Sequence, residues 1–278
     1  MGAPDPRLDQ ALHIDFRLQR MLKSYAKQDP PPDRVKPVPT QVLRRIMSIA
    51  AHHNDPVNQA IADMICIAFF FLLRPGEYAI STSDSTPFTL ADVQLFRGDT
   101  RLDLFTASSE ELLTATFSTL TFTTQKNGVR GEVIGHSHSG DQWLSPPRAL
   151  ARRVLHLRNH HAPATTPLAV AYTAPARCRN ITPLLISSSI RDAVTFLGPG
   201  LGFTANDVSA RCLRAAGANA LLCAGIDTDV IRLLGRWRSD EMMRYLHCQA
   251  RPVLRDFAQQ MLHGGSYTLI PNQLVPAY

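Results

Sequence analysis

From Ala60 to Leu73 the chain holds a single residue that is not apolar, Asp63. A helix that is apolar on every side has to be enclosed by other elements. The run is too short to cross a bilayer, so it predicts a buried helix at the centre of a globular core. Asp55 and Pro56 mark its start, a capping carboxylate followed by proline at the first helical position. Arg74-Pro75 marks its end.

Around this helix the pattern predicts further helices on either side of a small sheet. Helical spacing of apolar residues covers Leu8 to Gln28, and Thr40 opens a helix to about His53. Between them the prolines of Asp29 to Asp33 and Pro37 to Pro39 predict a stiff extended linker. From Ser81 to about His136 the character changes. Val93, Leu95, Leu102, Leu104 and Phe105, then Leu120 to Thr124, read as short strands, and Asn127-Gly128 is a two-residue hairpin turn with Gly131 to Ile134 as the returning strand. Helical patterns resume at Pro146 to His160, Thr182 to Leu197, Ser209 to Ala224, Thr228 to Leu234, Ser239 to His247 and Arg251 to Leu262. The fold class expected is α+β, mainly helical, with a small antiparallel sheet. A length of 278 residues suits one large domain or two small ones. The predicted organisation is a helical segment at 1–29, a linker at 30–39, a main domain at 40–262 and a tail at 263–278.

Charge narrows the chemistry. Twenty-nine Lys and Arg against 23 Asp and Glu give a net +6, which permits a polyanionic partner. The basic residues are almost all arginine: lysine occurs only at 23, 27, 36 and 126. A codon or lineage preference for arginine is one reading of that skew. A lysine kept at Lys126, on the edge of the predicted hairpin, also suits a role that needs an ammonium able to give up its proton, which a guanidinium cannot do. The five cysteines (Cys66, Cys178, Cys212, Cys223, Cys248) have no CxxC spacing, so neither a disulfide framework nor a cysteine zinc site is expected. The chain reads as intracellular, with no signal peptide and no membrane span. No Walker loop, GxGxxG, HExxH or GxSxG occurs. His136-x-His138 lies among Ser and Gly with no third ligand near it and is expected in a solvated loop.

Three stretches remain that suit chemistry. Leu72-Leu73-Arg74-Pro75-Gly76-Glu77 puts an arginine at the end of the buried helix with a carboxylate three residues on, its natural partner. Gln125-Lys126-Asn127-Gly128 puts the lone late lysine on a hairpin. Arg211-Cys212-Leu213-Arg214 is followed by Leu233-Leu234-Gly235-Arg236-Trp237 and then by Tyr245-Leu246. In this order and on these elements the motifs resemble the catalytic domain of the tyrosine recombinases, of phage-integrase type, with closest flavour to the eukaryotic retroelement branch (DIRS-like or Crypton-like). The resemblance runs from about Val38 to Leu262.

The resemblance implies a role for each matching position. Arg74 and Arg214 would be the two arginines on the scissile phosphate, with Glu77 the acidic residue that follows the first. Lys126 would protonate the leaving oxygen, and Tyr245 would be the nucleophile. Arg236 stands where the family carries His or Trp, with Trp237 beside it. The implied partner is double-stranded DNA, with self-assembly on it, and no metal or small-molecule cofactor. The location would be the nucleus if the source is eukaryotic. Two positions depart from the pattern. Arg211 replaces the histidine expected three residues before Arg214, and arginine cannot accept a proton at neutral pH. The family's DNA-clamping domain, which precedes the catalytic one, would be represented at 1–29 by one remnant helix. Two alternatives stand beside this reading: a DNA-binding remnant of the same fold, and a helical interaction protein with no nucleic-acid role, in which these side chains would lie on different faces.

Overall fold

The computed structural model describes residues 7, 16, 18–21, 36–81, 85–123, 131–174 and 177–237. The chain divides into two compact units, Met1–Arg34 and Val35–Tyr278. In the first, residues 16 and 18–21 are helical. The second contains all the elements named below.

Its order is α1 (Thr40–His53), α2 (Pro56–Phe70) and the one-turn α3 (Pro75–Tyr78), then β1 (Val93–Arg97), β2 (Thr100–Leu102), α4 (Ser109–Leu113), β3 (Phe117–Phe122) and β4 (Glu132–Ser137). There follow α5 (Pro146–Asn159), the hairpin β5 (Val170–Ala174) and β6 (Arg177–Asn180), α6 (Pro183–Leu197), α7 (Cys212–Cys223) and α8 (Thr228–Leu234). This is the α+β, mainly helical architecture with a small antiparallel sheet that the sequence predicts.

The apolar run does become the centre. Asp55 caps α2 by accepting the Asn58 N–H at 2.8 Å, and every residue from Ala60 to Phe69 is buried. Helices α1, α5, α6 and α7 and strand β5 pack around it. Its one charge is matched: Asp63 Oδ1 accepts from Arg152 Nε at 2.7 Å and from Gln59 Nε2 at 3.1 Å. Helix α7 presents Gly217 to α2. A Cβ there would collide with the Phe69 carbonyl oxygen and the Leu72 side chain, so the small residue sets the separation of the two helices.

The four-stranded sheet has the order β2-β1-β3-β4, antiparallel throughout. Val93 pairs with Leu120 and Leu120 with Ile134, so Val93 and Leu95 of β1 share one face with Ser118, Leu120 and Phe122 of β3, while Thr119 is buried on the other. Strands β3 and β4 flank the segment that carries Asn127-Gly128, and the turn itself lies outside the described residues.

Two expectations are corrected, and one element is new. Leu104 and Phe105 are not strand, because Asp103 accepts the N–H groups of Phe105 and Thr106 and turns the chain there. His136 is not in a solvated loop. β4 runs through to Ser137, and the ring of His136 packs edge-on against Phe71 with centroids 4.7 Å apart. The hairpin β5–β6 is an addition: its second strand reads Arg-Cys-Arg-Asn, with no alternation of apolar residues to announce it. The helices expected at Ser239 to His247 and Arg251 to Leu262, and the tail, lie outside the described residues.

Candidate functional site

Arg74 sits in the turn between α2 and α3 rather than within α2, which ends at Phe70. Leu72 makes that turn with a left-handed backbone, φ +51°. Arg74 then caps α3, and Glu77 closes the turn twice over. Its Oε2 accepts the Arg74 backbone N–H at 2.7 Å, and its Oε1 accepts from the Arg74 guanidinium at 3.2 Å. The arginine side chain remains 29% exposed against 10% for the carboxylate, so the guanidinium reaches outward from a buried anchor. Tyr78, fully buried, ties the same turn to the start of α7 by donating to the Ala210 carbonyl at 2.7 Å. Burial pushes the Tyr78 hydroxyl well above its ordinary pKa, so it stays a donor.

Arg214 lies near the start of α7 and is buried. Its guanidinium donates to the Gly235 carbonyl and lies 4.3 Å from the centre of the Trp237 ring, a cation–π contact. Arg236, between those two residues, turns the other way. It donates to the carbonyls of Phe71 at 3.1 Å, Leu72 at 3.2 Å and Leu234 at 3.1 Å. It also reaches Glu77 Oε2 at 3.5 Å and lies 3.8 Å over the ring of Phe122. Burial brings its pKa down to about 10, with Glu77 opposing the shift.

The structure therefore gathers Arg74, Glu77, Arg214, Arg236 and Trp237 into one set of contacts. Arg211 stands apart. It is exposed at the N-terminus of α7, and its side chain has no hydrogen bond or ion pair with the described residues. Lys126 and Tyr245 lie outside the described residues. Phe122, at the end of β3 and four residues before Lys126, touches the cluster through Arg236.

Two members of the cluster escape sequence reasoning. Phe122 reads there only as a strand residue. Gly235 reads only as part of a motif, although a Cβ at this position would fall inside the Trp237 ring. Two arginines and an indole close behind one glycine are the signal available for it.

Among the described residues no group of three or more His, Cys, Asp or Glu side chains could hold a metal ion. None of their helices is long and apolar enough to cross a membrane.

The chain is similar to several solved structures. XerA recombinase shares 17% identity at a TM-score of 0.47, over 84% of this chain and 66% of that one. The Tn1549 transposon integrase in complex with transposon right end DNA shares 13% at 0.44, over 84% and 68%. The same integrase in complex with circular intermediate DNA shares 15% at 0.40, over 83% and 66%. The chain spans about two thirds of the length of these proteins. No family model matches it, and no curated protein does. At TM-scores below 0.5 these likenesses do not assign a family.

Proposed function

We propose that the chain is a tyrosine recombinase catalytic domain of mobile-element origin, on the DIRS-like or Crypton-like side of that family, which cuts and rejoins duplex DNA. The observation that supports this reading is the contact chain from Arg74 through Glu77 and Arg236 to the turn that holds Arg214. Two arginines far apart in sequence are oriented from one place, and Arg74 keeps an outward face. Paired guanidiniums offer fixed forks to the oxygens of one phosphate and stabilise the charge that develops on them in the transition state.

In this reading the Tyr245 hydroxyl gives its proton to water, and its oxygen forms a bond to phosphorus as the bond from phosphorus to the 5′ oxygen breaks. Lys126 delivers a proton to that leaving oxygen, a contribution of ~10²–10⁴-fold for a positioned acid. The product is a 3′-phosphotyrosine and a free 5′ hydroxyl, and reversal of the step rejoins the strand. The test is covalent trapping on nicked duplexes drawn from the DNA flanking the coding locus. A protein–DNA adduct, lost in Tyr245→Phe, is expected. An adduct that survives Tyr245→Phe contradicts the reading.

A second reading is favoured by Arg211: a catalytically impaired remnant that still binds DNA. The position of the proton-accepting histidine holds an exposed arginine, which cannot take the tyrosine proton. An adduct that appears only in Arg211→His supports this reading over the first.

A further inference from the structure

Gly235, Arg236 and Trp237 form a three-residue turn that makes contacts toward both arginines. Gly235 supplies a carbonyl to Arg214, and Trp237 supplies a ring beneath it. Arg236 faces the opposite way, into the turn that carries Arg74. The backbone is shaped for this. Arg236 has φ +57° and the residue whose carbonyl it grips, Leu72, has φ +51°. Left-handed backbone is unfavourable at a residue other than glycine and persists only where its surroundings enforce it. Here the two left-handed residues are joined to each other by the Arg236 guanidinium.

Donor geometry separates a structural role from a DNA contact. The Arg236 guanidinium already faces three carbonyl oxygens, one carboxylate and an aromatic ring. Its two terminal nitrogens are taken up by these oxygens, Nη1 by Phe71 and Leu234 and Nη2 by Leu72 and Glu77, which leaves neither for a phosphate. We propose that Gly235-Arg236-Trp237 is a clasp that sets Arg74 and Arg214 together, and that Arg236 is a positioning residue that touches no DNA. This rests on the recombinase reading for its consequence but not for its geometry. The clasp controls both arginines from behind. Glu77 is its link to Arg74, so Arg236 and Glu77 act in series.

The test has one arm without DNA and one with it. The chain has two tryptophans, Trp143 and Trp237, so Trp143→Phe leaves Trp237 as the only indole emitter. In that background Arg236→Met is expected to shift Trp237 emission to longer wavelength as the ring loses its enclosure. Unchanged emission overturns the clasp. In the second arm, duplex affinity is measured for Arg236→Met, Glu77→Gln and the double variant. Each single change is expected to weaken binding about tenfold, and the double variant is expected to fall within about twofold of the weaker single. A double variant that loses the product of the two factors means independent action and overturns the proposal. A salt slope reduced by about 0.9 in Arg236→Met but not in Glu77→Gln, the signature of one lost phosphate contact, also overturns it. If the native protein shows no salt-dependent duplex binding, the recombinase reading fails and the emission arm alone decides the clasp. Arg236→Lys keeps the charge without the fork and carries the same expectations where Arg236→Met does not fold.

Discussion

At Gly235 the requirement for glycine comes from a neighbour and not from its own backbone dihedrals. Any side chain there occupies the space of the Trp237 ring. Gly235→Ala is therefore expected to displace Trp237 from beneath Arg214 and to cost about 1–3 kcal/mol, the usual scale of overpacking. Denaturant unfolding checks this, and a midpoint equal to the native one contradicts it. Asp63 makes the complementary case for charge. It is fully buried, and Arg152 and Gln59 donate to it. Removing one partner of such a pair strands the other, so Asp63→Ala is expected to lose about 3–5 kcal/mol in the same measurement. The sequence announces Asp63 as the one break in an apolar run. Its partner cannot be read there, because Arg152 lies on α5, far along the chain, and is one of many similar arginines.

At the scale of elements, α5 is bound to the β5–β6 hairpin by a buried polar joint. Arg153, fully buried on α5, donates to the Leu168 carbonyl at 2.9 Å and to that of Val170. His156, on the next turn of the helix, accepts the Tyr172 N–H through Nε2 at 2.8 Å. The ring of His160 stacks on Tyr172 with centroids 4.8 Å apart. Burial, then the Arg153 cation, then His160 bring the His156 pKa down to about 4. The unfolded chain protonates this histidine near its ordinary value of about 6.5. Stability from the joint is thus complete above pH ~6.5, falls as pH drops toward ~4 and is fully lost below that. His136 adds a loss of the same sign, since burial lowers its pKa as well. Urea midpoints measured from about pH 7.5 to about pH 4.5 are expected to fall across that window, and His156→Gln is expected to flatten part of the fall. A profile identical in His156→Gln contradicts the assignment. This joint is invisible in the sequence for a physical reason. Strand β5 is held by helix contacts and the exposed β6 by its pairing with β5, not by an alternating apolar pattern, so period-two reading passes over both. Helix α2 is legible for the opposite reason, since an apolar run needs no partner to be recognised as core. Strands β1, β3 and β4 are legible as well, because their β-branched and aromatic residues fall where the sheet forms.

At the scale of the whole molecule, the claim is that distant parts of the chain meet on one phosphate. Motif order picks out Arg74, Glu77, Arg214, Arg236 and Trp237 as candidates, and the fold brings those five into one set of contacts. Motif order is not enough to separate their roles. Arg211 and Arg236 look alike as letters, yet one is exposed and one is packed among carbonyls. Only the neighbours of a guanidinium show whether it is free to meet DNA. A positively charged protein of this kind is also expected to bind duplex DNA with an affinity that falls steeply with salt. Arg74→Gln is expected to lower the magnitude of that slope by about 0.9, one phosphate contact, and an unchanged slope contradicts a role for Arg74 at the backbone.

The measurement that bears most directly on the central claim is a double-mutant cycle in duplex affinity, by fluorescence anisotropy at one fixed salt concentration. Native protein, Arg74→Gln, Arg214→Lys and the double variant would be compared, each checked for folding by circular dichroism. It serves an active enzyme and an impaired remnant equally. Two arginines on one phosphate are expected to be coupled by about 0.5–3 kcal/mol, so that the second change costs much less once the first is made. Losses that add to within about 0.5 kcal/mol would mean that Arg74 and Arg214 act on separate parts of the DNA, and the shared site would be refuted.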